Sequence, residues 1–216
     1  MLKGESSSLR LFLLGLLSLL HMHRVLGNVE VEALNAMKNA LEDPGNVLHN
    51  WDTSLVDPCT WFRITCGQVI GEPDYKHVIQ INLGISGLSG TLVPNLQNLA
   101  HLQYLELFGN AIYGTIPEEF GKLSNLVSLD LYDNNLTGQI PHTFGSYNHL
   151  RFMRLQNNTF TGIVPRSFIT ISTLQVLNVS ENCIDTSVPN PPEVVDFFAK
   201  FGEASFANNP KAGCYI

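Results

Sequence analysis

The chain has 216 residues, is 44% hydrophobic and carries a formal net charge of −7 at pH 7, a length and composition that fit one folded domain of ordinary size. The acidic balance repels phosphate backbones and anionic headgroups, which sets aside nucleic acid and an anionic membrane surface as partners.

At the amino terminus, Lys3 and Arg10 precede an apolar stretch, Leu11 to Leu20, that is too short to span a bilayer. Residues 1–27 read as a secretory signal peptide, with Val25 and Gly27 as the small side chains before the cleavage point. Its removal leaves 9 of the 12 basic and 18 of the 19 acidic side chains, a net charge of −9. No later stretch suggests a membrane span and the tail from Asn208 is polar, so the expectation is a secreted protein without an integral membrane segment.

Residues 28–76 form the expected amino-terminal cap. Leu34, Met37 and Leu41 fall on one face at helical spacing, and Asp43, Pro44 and Gly45 stop that helix. Trp51 and Trp61 add large apolar surfaces, and Gly67 to Lys76 reads as a long loop.

From His77 the chain falls into five rows that start every 24 residues and span residues 77–190, the fifth running short into the cap. The first column is Val78, Leu102, Leu126, Leu150 and Leu174, the second Ile81, Leu105, Leu129, Met153 and Leu177, the third Leu83, Leu107, Leu131, Leu155 and Val179. A period of this length means a solenoid, with one short strand per row whose apolar residues face inward. A polar column follows, Asn110, Asn134, Asn158 and Asn182, with Ser86 in the first row. An inward amide there can pair backbone groups that the bend after the strand leaves open. Gly90, Gly114, Gly138 and Gly162 mark a second bend, and Pro117, Pro141, Pro165 and Pro189 remove amide donors. The outer wall is therefore predicted as extended segments and short 3₁₀ turns without a ladder, backed by Phe120, Phe144 and Phe168.

Residues 191–216 form the expected carboxy-terminal cap, which shields the apolar end of the array, and the fifth row has Thr186 where the others carry glycine. Four cysteines in a secreted chain favour disulfides, and they allow three pairings. Cys59 and Cys66 sit at one end of the patterned region, Cys183 and Cys214 at the other, so pairing end by end is the choice made.

The pattern L-x-x-L-x-L-x-x-N-x-L-x-G-x-I-P resembles the plant-specific class of leucine-rich repeats, which implies a solenoid of the α/β horseshoe class and makes the polar column an asparagine ladder. The cap string CTWFRITC and the strings LQYLEL, LVSLDLY, LRFMRLQNN, TLQVLNVS and SFANNP resemble the extracellular part of the somatic-embryogenesis receptor kinases, which act as shared co-receptors. That resemblance implies that Phe62, Tyr104, Phe108 and Tyr132 stand where the family touches a receptor and its ligand, whereas Arg63 replaces a histidine. No kinase region follows Ile216, so the chain also resembles small secreted repeat proteins linked to plant defence. Receptor-kinase ectodomains or plasma-membrane-associated proteins are then the expected partners. The other reading is an inhibitor of a secreted wall hydrolase, similar to the polygalacturonase inhibitors, although those resemble longer arrays.

On the strands, outward positions make stripes. Gln80, Tyr104, Ser128, Phe152 and Val176 form one, and Asn82, Glu106, Asp130, Arg154 and Asn178 the next, with Phe108, Tyr132, Asp133 and Gln156 beside them. Aromatic rings beside Arg are the composition of an interface centre, so Phe62, Tyr104, Glu106, Phe108, Asp130, Tyr132, Phe152 and Arg154 are the expected protein-binding residues. Sequons at Asn135, Asn157 and Asn178 are open to glycosylation in a secreted chain, and glycans at Asn157 and Asn178, on or near the concave side, would mask part of the stripes. His77, His101 and His149 recur at one row position, but Asn125 interrupts the column and no third ligand is evident, so no metal is expected. No nucleophile elbow, zinc-protease motif or phosphate loop occurs, and neither catalysis nor a cofactor is expected.

Overall fold

The computed structural model describes residues 29–52, 54, 57–185 and 192–209; the signal peptide expected over 1–27 and Cys214 lie outside them. Helix α1 (29–40) buries Val31, Leu34 and Met37 on one face. The Asp43 carboxylate accepts the backbone N–H of Val47 at 2.9 Å and of Leu48 at 2.7 Å, closing the turn that Pro44 and Gly45 make. The helix stops before Leu41. Strand β1 (Leu41–Glu42) instead pairs antiparallel with β4 (Ser89–Thr91), because the free edge of that strand offers the two residues a ladder.

Trp51 and Trp61 are buried and stack at 5.5 Å, and the Trp51 indole donates to the Phe62 carbonyl at 2.9 Å. The Cys59–Cys66 disulfide joins the 3₁₀ turn Pro58–Thr60 to strand β2 (Ile64–Val69). Cys183 is likewise a disulfide half, and the partner expected for it, Cys214, is not among the described residues. The stretch 67–76 is not a loop. It forms most of a hairpin in which β2 pairs antiparallel with β3 (Glu72–Asn82), turning at Ile70 and Gly71. Gly67, Gly71, Pro73 and Asp74 read as loop chemistry, but Val69, Ile70 and Tyr75 favour strand, and the Gly71 φ of +98° supplies the reversal.

Each later row adds one short strand: β5 (Tyr104–Glu106), β7 (Ser128–Asp130), β9 (Phe152–Arg154) and β11 (Val176–Asn178). The first sheet runs β11-β9-β7-β5-β3-β2, parallel except at β2, in the 24-residue register that sets Tyr104 between Gln80 and Ser128. The outer wall departs from expectation. Strands β6 (Ala111–Thr115), β8 (Asn135–Gln139) and β10 (Thr159–Thr161) continue β4 into a second sheet, parallel beyond β1. The amides ahead of each proline remain free to pair with the next row, and only then do Pro117, Pro141 and Pro165 lead into 3₁₀ turns. The leucine columns and Phe120, Phe144 and Phe168 fill the space between the walls.

The asparagine column is a ladder. Asn134 Oδ1 accepts the Ile112 N–H at 3.0 Å, while its Nδ2 donates to the carbonyls of Leu107 at 3.0 Å and Leu131 at 3.1 Å. Asn110, Asn158 and Asn182 repeat the pattern. The sequence reading ended the column at Asn182, yet Asn209 continues it, accepting from Ile184 N–H and donating to the Val179 carbonyl, both at 3.0 Å. The segment around Ser205 thus acts as one more row: Val179 N–H donates to the Ser205 carbonyl and Glu181 N–H to that of Ala207. Helix α2 (Pro192–Ala199) carries Phe197 and Phe198, which pack with Phe201 and Phe206 against the core.

Glu30 on α1 is buried, with its carboxylate 3.3 Å from both the Val78 amide and His77 Nδ1. Burial outweighs these partners and holds its carboxyl above the usual carboxylate value. The folded protein therefore holds a proton that the unfolded chain releases, and this contribution falls as pH rises from the ordinary value, about 4.3, through the raised one. Glu30→Gln is expected to flatten that part of the pH dependence, measured as denaturant midpoint against pH. An unchanged slope would place the titration elsewhere.

Candidate protein-binding face

Strand alternation turns Tyr104, Glu106, Phe152 and Arg154 outward from the first sheet, each half-buried by its neighbours. Ser128 and Asp130 occupy the same stripes but are not surface groups, and Asp130 is 5% exposed. Its carboxylate is 2.7 Å from Arg154 Nη1 and accepts the Ser128 hydroxyl at 2.9 Å, so the long Arg154 side chain reaches across the shorter acid. The guanidinium also lies 5.1 Å from the centre of the Phe152 ring. Asp130, itself buried, thereby holds Arg154 in place.

The next stripe is aromatic. Phe108 and Tyr132 stack at 4.7 Å with only 8° between their planes. A Cβ on Gly84 would come within 2.5 Å of the Phe108 ring, so the ring lies flat over the glycine of the preceding row. Burial, then the Asp130 charge, raises the Tyr132 phenol above its ordinary value and keeps it a neutral donor.

Phe62 stands at the same end of the sheet, because the Asn82 N–H donates to the Arg63 carbonyl at 3.0 Å and draws the 62–63 turn alongside the first row. Asn50 Oδ1 accepts the Phe62 N–H at 2.9 Å, leaving the ring 44% exposed with the Arg63 guanidinium 5.1 Å from its centre. A pinned backbone under an exposed ring is a rigid apolar contact.

One residue of this patch escaped the sequence reading. In each row the position before the ladder residue has left-handed backbone: Ile85, Gly109, Asp133, Asn157 and Glu181, with φ from +51° to +65°. Gly, Asp and Asn tolerate that conformation, whereas a β-branched residue is strained there. Ile85 is nevertheless present and 77% exposed. The available signal was an isoleucine in a column otherwise made of Gly, Asp, Asn and Glu.

Of the sequon residues, Asn135 and Asn157 are exposed and Asn178 is half-buried, its Oδ1 accepting from the Ser180 hydroxyl at 2.8 Å. Asn157 and Asn178 lie in later rows than Phe108 and Ile85. His101 is held below the ordinary imidazole value by burial and then by His77, whose ring centre is 4.3 Å away, while His149 is exposed and apart from them in the row order.

Comparison with known proteins places this geometry. Residues 28–67 match the leucine-rich-repeat N-terminal domain and residues 100–160 the leucine-rich repeat. Leucine-rich repeat protein 2 of Arabidopsis thaliana is 51% identical over 81 residues, 38% of this chain. The match spans 34% of that relative's length. The BIR2 ectodomain of Arabidopsis thaliana is 30% identical with a TM-score of 0.71, over 86% of this chain and 94% of that one. A chain of the Arabidopsis BIR3–SERK2 complex is 28% identical with a TM-score of 0.69, over 82% of this chain and 92% of that one. The fold is that of extracellular protein-binding modules in plant receptor signalling. Among the described residues no helix is long and apolar enough to cross a membrane. With both family domains matched, the ladder in place and an ectodomain aligned almost end to end, the chain belongs to the plant leucine-rich-repeat proteins.

Proposed function

We propose that this chain is a secreted, non-catalytic protein whose first rows bind the ectodomain of a plant cell-surface receptor, or a ligand held by one, in defence signalling. The observation that carries this reading is the stacked Phe108–Tyr132 pair flanked by exposed Ile85 and Phe62. Rigid rings with apolar neighbours lose little ordering entropy on contact and can serve as a central anchor. In this reading residues 1–27 are the signal peptide, 28–76 the amino-terminal cap, 77–190 the repeats and 191–216 the carboxy-terminal cap. A glycan at Asn178 would cover the last row, one at Asn157, whose Nδ2 lies 2.8 Å from Asp133 Oδ1, would sit beside the Tyr132 row, and Asn135 is in the second sheet. The disulfide and the ectodomain fold support an extracellular location.

The test is affinity of the purified glycosylated chain for a panel of receptor ectodomains, of which BIR and SERK ectodomains are the first choice. Tyr132→Ala or Phe108→Ala should each weaken binding by about tenfold or more, roughly 1.4 kcal/mol. Replacing Glu118 and Glu119 in the outer-wall turn by Ala should leave affinity as it was. Circular dichroism serves as the folding control. Loss of binding in the wall variant, with the aromatic variants unaffected, would move the interface to the opposite side.

A further inference from the structure

The histidine column that lacked a third ligand in sequence acquires one from the hairpin. Glu72, His77 and His101 each bring one ligand atom to a common point, with all three atoms within 4.8 Å of one another. They come from the start of β3, from the ladder portion of the same strand and from the approach to β5, so folding of the hairpin is what assembles them. We propose that these three side chains bind one divalent transition-metal ion of the zinc class.

Three features favour that ligand over a chance cluster. His77 Nε2 already sits 2.9 Å from Glu72 Oε2, and a zinc ion can take the place of the proton shared between them. The other ring nitrogen, Nδ1, faces the buried Glu30 carboxylate at 3.3 Å, and that carboxylate is itself fixed by the Val78 amide. A ligating imidazole typically donates its second N–H to such a carboxylate, which sets the tautomer and the ring orientation. His101 offers the third atom from a ring already packed against His77. Two imidazole nitrogens and one carboxylate oxygen match the borderline donors that zinc takes, with a fourth position left for water. Zinc bonds of about 2.0–2.1 Å need ligand atoms roughly 3.3 Å apart, so with His77 fixed the Glu72 oxygen backs off slightly from its 2.9 Å contact while the partly exposed His101 side chain moves inward. Metal binding would join the hairpin to the first two rows and, through Glu30, to α1.

The experiment uses the whole secreted chain without a polyhistidine tag, stripped with chelator and titrated with zinc chloride by calorimetry. The absorption of added cobalt(II) reports the geometry. One zinc per chain is expected, with a higher melting temperature and tetrahedral cobalt bands. His101→Gln and Glu72→Gln should each raise Kd by about tenfold or more and abolish the thermal shift, whereas His149→Gln should do neither. Both altered side chains are only partly buried, and circular dichroism checks that the variants fold. Absence of saturable one-to-one binding in the native chain, or equal affinity in the His101 and Glu72 variants, would overturn the assignment.

Discussion

Gly90→Ala is expected to detach the amino-terminal cap from the array and to lower stability by about 3 kcal/mol or more. Gly90 sits in β4 opposite Leu41 with a φ of +101°, a conformation that L side chains rarely adopt. Space is the second obstacle. An added Cβ would overlap the Ala40 carbonyl oxygen and come 2.9 Å from the Leu41 Cα, both backbone atoms that cannot turn aside as a side-chain tip could. The pairing of β1 with β4 would open, and with it the seat of α1. The checks are the chemical-denaturation midpoint and hydrogen exchange of the α1 amides. A native midpoint would mean that the cap holds without β1, through Trp51, Trp61, the Cys59–Cys66 disulfide and the Glu30 contacts to the first row.

Asn134→Leu should cost about 1–3 kcal/mol while leaving the outward face as it is. Leucine matches the side chain in size but removes the acceptor for the Ile112 N–H and the donor for the Leu107 and Leu131 carbonyls. The Leu107 and Leu131 carbonyls still accept from Asn110 and Asn158, but the Ile112 N–H is left without a partner where water cannot readily replace it, at a cost of about 1–3 kcal/mol. Denaturation would show a lower midpoint, and affinity measured on the folded fraction should match that of the native chain. An unaltered midpoint would show that the bend can pair its groups without the amide.

Much of this was legible in the sequence because a solenoid repeats its constraints. The leucine columns, the ladder at Asn110 to Asn182 and the placement of Tyr104, Phe108 and Tyr132 follow from a 24-residue period and strand alternation. What escaped it depends on contacts between rows or on elements outside the period. Asp130 lies in an outward stripe, yet Arg154 one row away covers it. The second sheet was missed because proline was taken to silence a whole segment, when it silences one donor. Glu72 could not be joined to His77 and His101 while the hairpin read as a loop. Asn209 falls outside the 24-residue spacing, since the cap returns to the ladder by its own path through α2.

The ladder also has a direction. Asn110 satisfies the bend at Leu88, Asn134 that at Ile112, Asn158 that at Leu136, Asn182 that at Phe160 and Asn209 that at Ile184. Every bend is completed by the row that comes after it in the chain. On a ribosome or at a translocation pore, a newly emerged row therefore stays open until its successor arrives. Among the described bends, the last to close is the one at Ile184, which waits for Asn209 in the cap.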